Sequence, residues 1–410
     1  MIVFLSKEEV EAFMASEEDT IVGFGYAWEG EDVVHLHTRP LAHAFGVVKK
    51  CVFSKRPFEE TSRTDASWHV HVSMQDGVKV YDGLDGTQIG FQLIPSKDEL
   101  YSRNKGILEI GILEHKHVVI IGLGSFGSQI AIELAKAGVG EFSLVDFDRV
   151  ELHNLARHTC FIKDLGRLKT DAMEEAILGK NPYAVVHKYP MNICKNLNIL
   201  EELVGKADLV ICATDNNQSR FVLSQSMFDH QKCCIFGRAF TRAEGGDVFI
   251  YRPGQACYSC LVGNMGIEEE EITDEASARQ NGIIPAYVSA EDAEAMVQVG
   301  LSADIEPFCN MMVKLALVEL SKGKASGITS LEDELVYNYY IWANRRDHKF
   351  ANWHVMPGAG PMPTIMRWYG ANISRREDCV VCSEEEIRLD TGEDVAPALK
   401  CFEKTFPPVE

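Results

Sequence analysis

The sequence predicts an α/β protein with a doubly wound, Rossmann-like, mostly parallel sheet. A small N-terminal α+β domain precedes it, and a zinc-bound, β-rich C-terminal part follows. Three observations carry this expectation. Between residues 115 and 255, short β-rich runs alternate with helical stretches, the pattern of parallel strands joined by crossover helices. One of those strands runs into a Gly-x-Gly-x-x-Gly turn that opens a helix. Beyond that region stand two Cys-x-x-Cys pairs, Cys257/Cys260 and Cys379/Cys382.

In chain order, residues 1–100 carry short mixed strands, many aromatics and few long helical patterns, so they are expected to form a domain of their own. Residues 117–122 are a short apolar strand. A helical stretch follows to Ala137, closed by Gly138 and Gly140. Residues 141–146 form the next strand. Residues 165–180 are helical in pattern and stop at Asn181-Pro182. Residues 184–189, 207–214 and 232–240 are further strands separated by helical segments. A Gly- and acid-rich connection, 261–306, includes EEEEITDE at 268–275, a solvated loop by composition. A long helix is expected from Phe308 to Ser321, with Pro307 at its start. Residues 337–346 mix aromatic and cationic side chains, which suits either a protein interface or a half-buried strand. The second domain is expected to span 101–385 and an acidic tail 386–410.

Composition narrows the function classes. The chain has 410 residues, 61 acidic against 40 basic, for a formal net charge of -21. That balance argues against nucleic acid or an anionic membrane surface as partner. No apolar run approaches the roughly 18 residues of a membrane span. The first residues lack the basic start of a secretory signal, so the expected compartment is cytoplasmic. Twelve cysteines are too sparse for a disulfide scaffold, and in a reducing compartment paired Cys-x-x-Cys motifs point to metal.

The Gly-rich turn is Gly122-Leu123-Gly124-Ser125-Phe126-Gly127. Glycines permit a tight turn and close backbone approach, and a helix N-terminus offers free N–H groups to phosphate. Asp146 ends the next strand, placed to accept ribose hydroxyls, with Asp148 just beyond. Asn154 and Arg157 follow, then Lys169 at a helix start, and Asp215 closes the strand 210–215. A nicotinamide enzyme needs at most one cation here. Cleaving a triphosphate needs several, together with a carboxylate for Mg²⁺. The set favours ATP over a dinucleotide. Asp215 precedes a helical run and also reads as its N-cap.

These motifs resemble the ThiF/MoeB/HesA superfamily, the adenylating domain of ubiquitin-activating enzymes, over roughly residues 100–385. The resemblance rests on Tyr101-Ser102-Arg103-Asn104, Asp146/Asp148, Asn154/Arg157, Lys169, Ala213–Asn216 and the two cysteine pairs, in that order. It implies that the C-terminal carboxylate of a ubiquitin-like or sulfur-carrier protein ending in Gly attacks the α-phosphate of MgATP. Asp146 would bind ribose, Asn154, Arg157 and Lys169 the phosphates, and Asp215 Mg²⁺. The four cysteines would hold a structural Zn²⁺. Arg103 would reach into the active site of a second copy, which implies a homodimer. A downstream conjugating or sulfur-transfer enzyme would take the product. Adenylation of a peptide or small molecule, or a non-catalytic nucleotide-binding scaffold, are the alternatives.

Many members of this superfamily carry a thioester-forming cysteine after the first zinc pair, and residues 261–308 contain none. Cys309 reads as a buried core thiol. Cys401 and Cys160 are weaker candidates. His35/His37 and His69/His71 share strand faces by period-2 spacing. With Ser73 and Asp76 they resemble part of a JAB-type metalloprotease, but the interval between its His pair and its Ser is missing, so a solvated strand face is expected.

Overall fold

The computed structural model describes residues 1–41, 46–58, 65–94, 97–265, 300–346 and 365–383. The acidic run 268–275, most of the connection 261–306, the tail 386–410 and Cys401 lie outside them. The chain forms two compact units, Met1–Arg103 and Asn104–Glu410.

In the first unit, strands β1 (Ile2–Ser6), β2 (Thr20–Ala27), β3 (Val33–His37), β4 (Val47–Ser54), β5 (Trp68–Ser73), β6 (Gly77–Asp82), β7 (Gln88–Ile89) and β8 (Phe91–Ile94) make one mixed sheet, ordered β7-β6-β5-β4-β2-β3-β1-β8. Helix α1 (Lys7–Ala15) starts at Ser6, whose Oγ accepts the Glu9 N–H at 3.3 Å. Val10 and Phe13, one turn apart, are thereby buried among Val3, Leu5, Leu36 and Phe53. Gly25 on β2 is needed for close packing, because a Cβ there would fall 2.3 Å from the Trp68 ring.

The histidine pairs depart from expectation. His37, His69 and His71 are 8%, 2% and 7% exposed, so no solvated face forms at them. Strand β5 runs between β4 and β6 and is buried from Trp68 through Val72, which covers both of its faces. The buried rings find partners: His37 Nδ1 lies 3.1 Å from Glu9 Oε1, His71 Nδ1 lies 2.9 Å from the Arg56 carbonyl, and His69 packs edge-on to Phe58. Alternation was legible in the sequence. The side covered by loops was not.

In the second unit, β9 (His117–Ile121), β10 (Glu141–Val145), β11 (Val185–Tyr189), β12 (Leu209–Cys212), β13 (Cys234–Ala239), β14 (Gly245–Tyr251), β15 (Tyr339–Ala343) and β16 (Trp368–Ala371) form a sheet ordered β11-β10-β9-β12-β13-β14-β15-β16. The first five strands are parallel and the last three antiparallel. The parallel strands β9 and β12 are buried at every residue, as expected for strands covered on both faces. Val118 and Ile120 face one core, with Leu134 and Phe308. Val119 and Ile121 face the other, with Leu203 and Leu223. Residues 337–346 thus supply a half-buried strand, β15.

Helices α2 (Ser125–Ala137), α3 (Lys169–Leu178), α4 (Leu197–Lys206), α5 (Asn217–His230), α6 (Tyr258–Met265) and α7 (Ser302–Ser321) flank the sheet. Helix α2 ends at Gly138, whose φ of 99° is the left-handed cap that glycine supplies. Two starts differ from expectation. Helix α3 begins at Lys169 rather than 165, because Val150 exchanges backbone hydrogen bonds with Gly166 and Arg167 and Arg149 bridges Leu168, holding that stretch extended. Helix α7 begins at Ser302, and Pro307 sits inside it. The ring removes one hydrogen bond, but Ile305, Phe308, Cys309 and Met312 bury one continuous face across it, which carries the helix through. No helix among the described residues is long and apolar enough to cross a membrane.

The strand order reverses between β9 and β12. That is where a doubly wound sheet opens a crevice at its carboxyl edge. The loop after β9 and the loop after β12 border it.

Candidate active site

The loop after β9 is shaped by its glycines. Gly122 has φ of +86°, and a Cβ there would fall 2.8 Å from the Ala213 carbonyl oxygen. At Gly127 a Cβ would fall 1.9 Å from the Gly122 oxygen, so helix and loop touch backbone to backbone. Gly124, the N-cap of α2, has open space where its Cβ would be. Ser125 opens the helix, whose first N–H groups have no intrahelical partner and suit a phosphate. Gly127→Ala is therefore expected to cost about 1–3 kcal/mol of stability by overpacking, whereas Gly124→Ala folds normally and weakens nucleotide binding. Thermal unfolding and nucleotide titration of the two variants separate these outcomes.

Asp146, 8% exposed, holds the loop from the side: Oδ2 accepts the Leu123 N–H at 2.7 Å and Oδ1 the Asp148 N–H at 2.8 Å. Burial raises its pKa, opposed by the Lys169 charge and these bonds. Each oxygen keeps a lone pair for a hydroxyl. Lys169, also 8% exposed, donates to Asp148 Oδ2 at 2.8 Å. Burial works against its charge, but Asp146, Asp148 and Asp215 together outweigh that and raise its pKa above the ordinary value. The ammonium is thus held by Asp148 and feels the charges of Asp146 and Asp215 at the carboxyl edge.

Asn154 and Arg157 lie on and just after the turn Leu152–Ala156. Asn154 Oδ1 accepts the Glu151 N–H at 3.0 Å, so its carbonyl end closes this turn. Arg157 is half-buried, and burial lowers its pKa. Its carbonyl is tied to α2 by Gln129 Nε2 at 3.3 Å. Asp215 is exposed. It does not cap α5: Asn216 does, its Oδ1 accepting the Ser219 N–H at 2.9 Å. The extra residue between strand end and helix puts Asn216 at the cap position. Arg103 is exposed on the turn Ser102–Asn104 and is the last residue of the first unit.

Two residues around this site were missed in the sequence. Arg220, 7% exposed, donates to the Thr214 carbonyl at 2.6 Å and to Asn217 Oδ1 at 3.0 Å, bracing the loop that bears Asp215. Its place on the first turn of α5 was the available clue. His158, 8% exposed, lies 2.6 Å from the Leu123 carbonyl oxygen through Nε2 and accepts the Cys160 N–H through Nδ1 at 3.0 Å. Burial lowers its pKa to about 4, helped by Lys169 and opposed by the Leu123 bond and Asp164. An unfolded histidine takes its proton near pH 6.5. The unfolded state thus binds more protons between about pH 6.5 and 4, so this group's contribution is present above that window and is lost as pH falls through it. The expected loss is about 3 kcal/mol, read as a steeper acid dependence of unfolding in the wild type than in His158→Gln.

The second cluster is Cys257, Cys260, Cys379 and Cys382, all buried, with sulfurs within 4.8 Å of one another. The sulfur separations are 3.5 Å (Cys257–Cys379), 3.8 Å (Cys257–Cys260) and 3.3 Å (Cys260–Cys382), too long for disulfides. A tetrahedral zinc with bonds of about 2.3 Å places its sulfurs about 3.8 Å apart, so this donor set fits that ion. The Cys257 thiol donates to Cys260, lowering the pKa of Cys260 and raising its own. The Arg376 N–H also points at Cys260 Sγ, 3.4 Å away. A sulfur receiving two donors is prepared to be a thiolate.

Cys309 is 3% exposed on α7, and burial pushes its thiol far above the ordinary range. Cys160, 7% exposed, is pushed up to about 12, chiefly by burial. Neither is poised as a nucleophile. Cys309→Ala is expected to leave any product unchanged on a non-reducing gel, and a reductant-sensitive carrier adduct lost in that variant would contradict this.

Several known proteins are similar to this chain. Molybdopterin-synthase adenylyltransferase of Escherichia coli (strain K12) is 36% identical over 151 residues, 36% of this chain and 59% of the relative. Ubiquitin-like modifier-activating enzyme 5 of Oryza sativa subsp. japonica is 28% identical, over 43% of this chain and 47% of the relative. Adenylyltransferase and sulfurtransferase MOCS3-1 of Zea mays is 25% identical, over 73% and 64%. The chain thus spans less than two-thirds of the length of each of these curated relatives. A crystal structure of E. coli MccB matches with a TM-score of 0.48 at 17% identity, over 73% of this chain and 76% of that one. The model of the ThiF family matches residues 101–344, more than half of the chain and the stretch that carries the Gly-rich loop, Asp146, Lys169 and Asp215. The chain belongs to the ThiF family.

Proposed function

We propose that this protein adenylates the C-terminal carboxylate of a ubiquitin-like or sulfur-carrier protein ending in Gly, consuming ATP and releasing pyrophosphate. The observation that carries the reading is Lys169, hydrogen-bonded to Asp148 and kept charged by Asp146, Asp148 and Asp215, beside a glycine loop at the switch point of the sheet. Together with Arg157 it supplies more positive charge than a hydride-transfer site needs. The names of the reported relatives, an adenylyltransferase and a modifier-activating enzyme, support it.

The chemistry needs no nucleophile from the protein. A carboxylate oxygen of the carrier forms a bond to the α-phosphorus, the bond from that phosphorus to the bridging oxygen breaks, and pyrophosphate leaves with the electron pair. The protein's part is to orient reactants and offset charge. Asp146 accepts the ribose hydroxyls, the N–H groups opening α2 bind phosphate, and Lys169, Arg157 and Asn154 face the charge that moves onto the leaving group. The exposed carboxylate of Asp215 is the donor for Mg²⁺, which supplies further charge neutralisation. The four cysteines hold Zn²⁺ as a closed structural site. In a homodimer, Arg103 serves the partner's site. The first unit helps to recognise the carrier or completes the dimer, and a conjugating or sulfur-transfer enzyme takes the adenylate onward.

Incubation with ATP labelled at the α-phosphate tests this. Label is expected on a carrier ending in Gly and not on one lacking its terminal Gly. Label on neither, in a protein that binds ATP, favours the scaffold alternative.

A further inference from the structure

We infer that His158 is a positioning residue that sets the orientation of a single peptide unit in the phosphate loop; the inference rests on the ATP-binding part of the function proposed above. Leu123 stands between Gly122 and Gly124, and both of its backbone polar groups are taken. Its N–H goes to Asp146 Oδ2 at 2.7 Å and its carbonyl to His158 Nε2 at 2.6 Å. The Leu123 side chain is fully buried, which fixes the residue from the third side.

The imidazole is itself held in one form. The Cys160 N–H donates to Nδ1 at 3.0 Å, so Nδ1 is an acceptor, and the proton of the neutral ring is on Nε2, facing the Leu123 oxygen. In a trans peptide the C=O and the following N–H point in opposite directions. Holding the Leu123 carbonyl on His158 therefore turns the Gly124 N–H away from the histidine, on a residue whose Cβ side is open space. Were this peptide to flip, a carbonyl oxygen would replace that N–H, and an anion would meet a partial negative charge instead of a donor. Such a flip turns ψ of Leu123 and φ of Gly124, and Gly124, with no Cβ, offers little steric resistance to it. Glycine freedom makes the loop able to approach a phosphate, and it also makes a clamp necessary. Asp164 and Lys169 are the charged groups that act on the ring, and neither hydrogen-bonds to it.

Binding of MgATP to the full chain, measured by calorimetry without any carrier, tests this in two variants that keep the side-chain volume. His158→Met removes the donor, and His158→Gln returns an N–H at similar reach. The Met variant is expected to bind MgATP about tenfold more weakly, the worth of one buried hydrogen bond, and the Gln variant within about twofold of wild type. In carrier-dependent turnover the KM for ATP rises in the Met variant while the KM for the carrier stays put. Leu200→Ala, a core truncation on α4, loses stability without moving the ATP affinity. Equal affinity in the Met variant and wild type overturns the inference. If the Met variant does not fold, a folded Gln variant that binds more than tenfold more weakly overturns it as well. Failure of the wild type to bind MgATP would instead contradict the proposed function.

Discussion

Asp215→Ala is expected to lower ATP–pyrophosphate exchange by about 10³-fold, about 4 kcal/mol of transition-state stabilisation, while leaving the unfolding temperature nearly unchanged. Both halves follow from the loop after β12. The carboxylate is exposed and adds to the charge that keeps Lys169 protonated, so its loss alters the electrostatics where charge moves to the leaving group. The helix it precedes is capped by Asn216 and braced by Arg220, so no structural hydrogen bond goes with it. Asn216→Ala reverses the pattern, with about 1 kcal/mol of stability lost through the missing cap and a smaller effect on exchange. A variant at Asp215 that retains a tenth or more of wild-type exchange would remove this residue from the catalytic set.

Loss of the cysteine cluster is expected to be as large an effect of the other kind. The purified protein is expected to carry about one zinc per chain. Cys257→Ser, or exhaustive chelation, should destabilise the second unit by about 4 kcal/mol or more. The four sulfurs are buried in the core that holds Phe236, Phe249 and Tyr258, and without a cation a thiolate there is met by backbone N–H groups, that of Arg376 among them, and by neighbouring thiols. Damage should therefore spread to β14 and α6, whose near-ultraviolet signal from Tyr251 and Tyr258 reports it. Elemental analysis finding no zinc, with unchanged stability in the Ser variant, would show a packed thiol cluster instead.

The order of strands and helices from residue 115 to 255 was legible because buried parallel strands are continuous apolar runs and the Gly-rich turn has few other uses. What was not legible depended on long-range partners. The residues before Lys169 carry a helical pattern, but pairing of Val150 with Gly166 and Arg167 keeps them extended. Pro307 reads as a helix start, yet the apolar face from Ile305 to Met312 runs through it. His69 and His71 alternate like a half-exposed strand, and burial on both faces overrides that period. The acidic and cationic residues of the candidate site were proposed from type and spacing. His158 and Arg220 were not, since their role lies in holding backbone carbonyls 35 and 6 residues away. No periodicity encodes such contacts.

ATP–pyrophosphate exchange by the full chain, with and without small proteins ending in Gly, decides whether this protein activates a carrier. Exchange is expected to depend on the carrier and its terminal Gly and to be lost in Arg157→Ala. Tight MgATP binding with no exchange in the presence of any such carrier would contradict it.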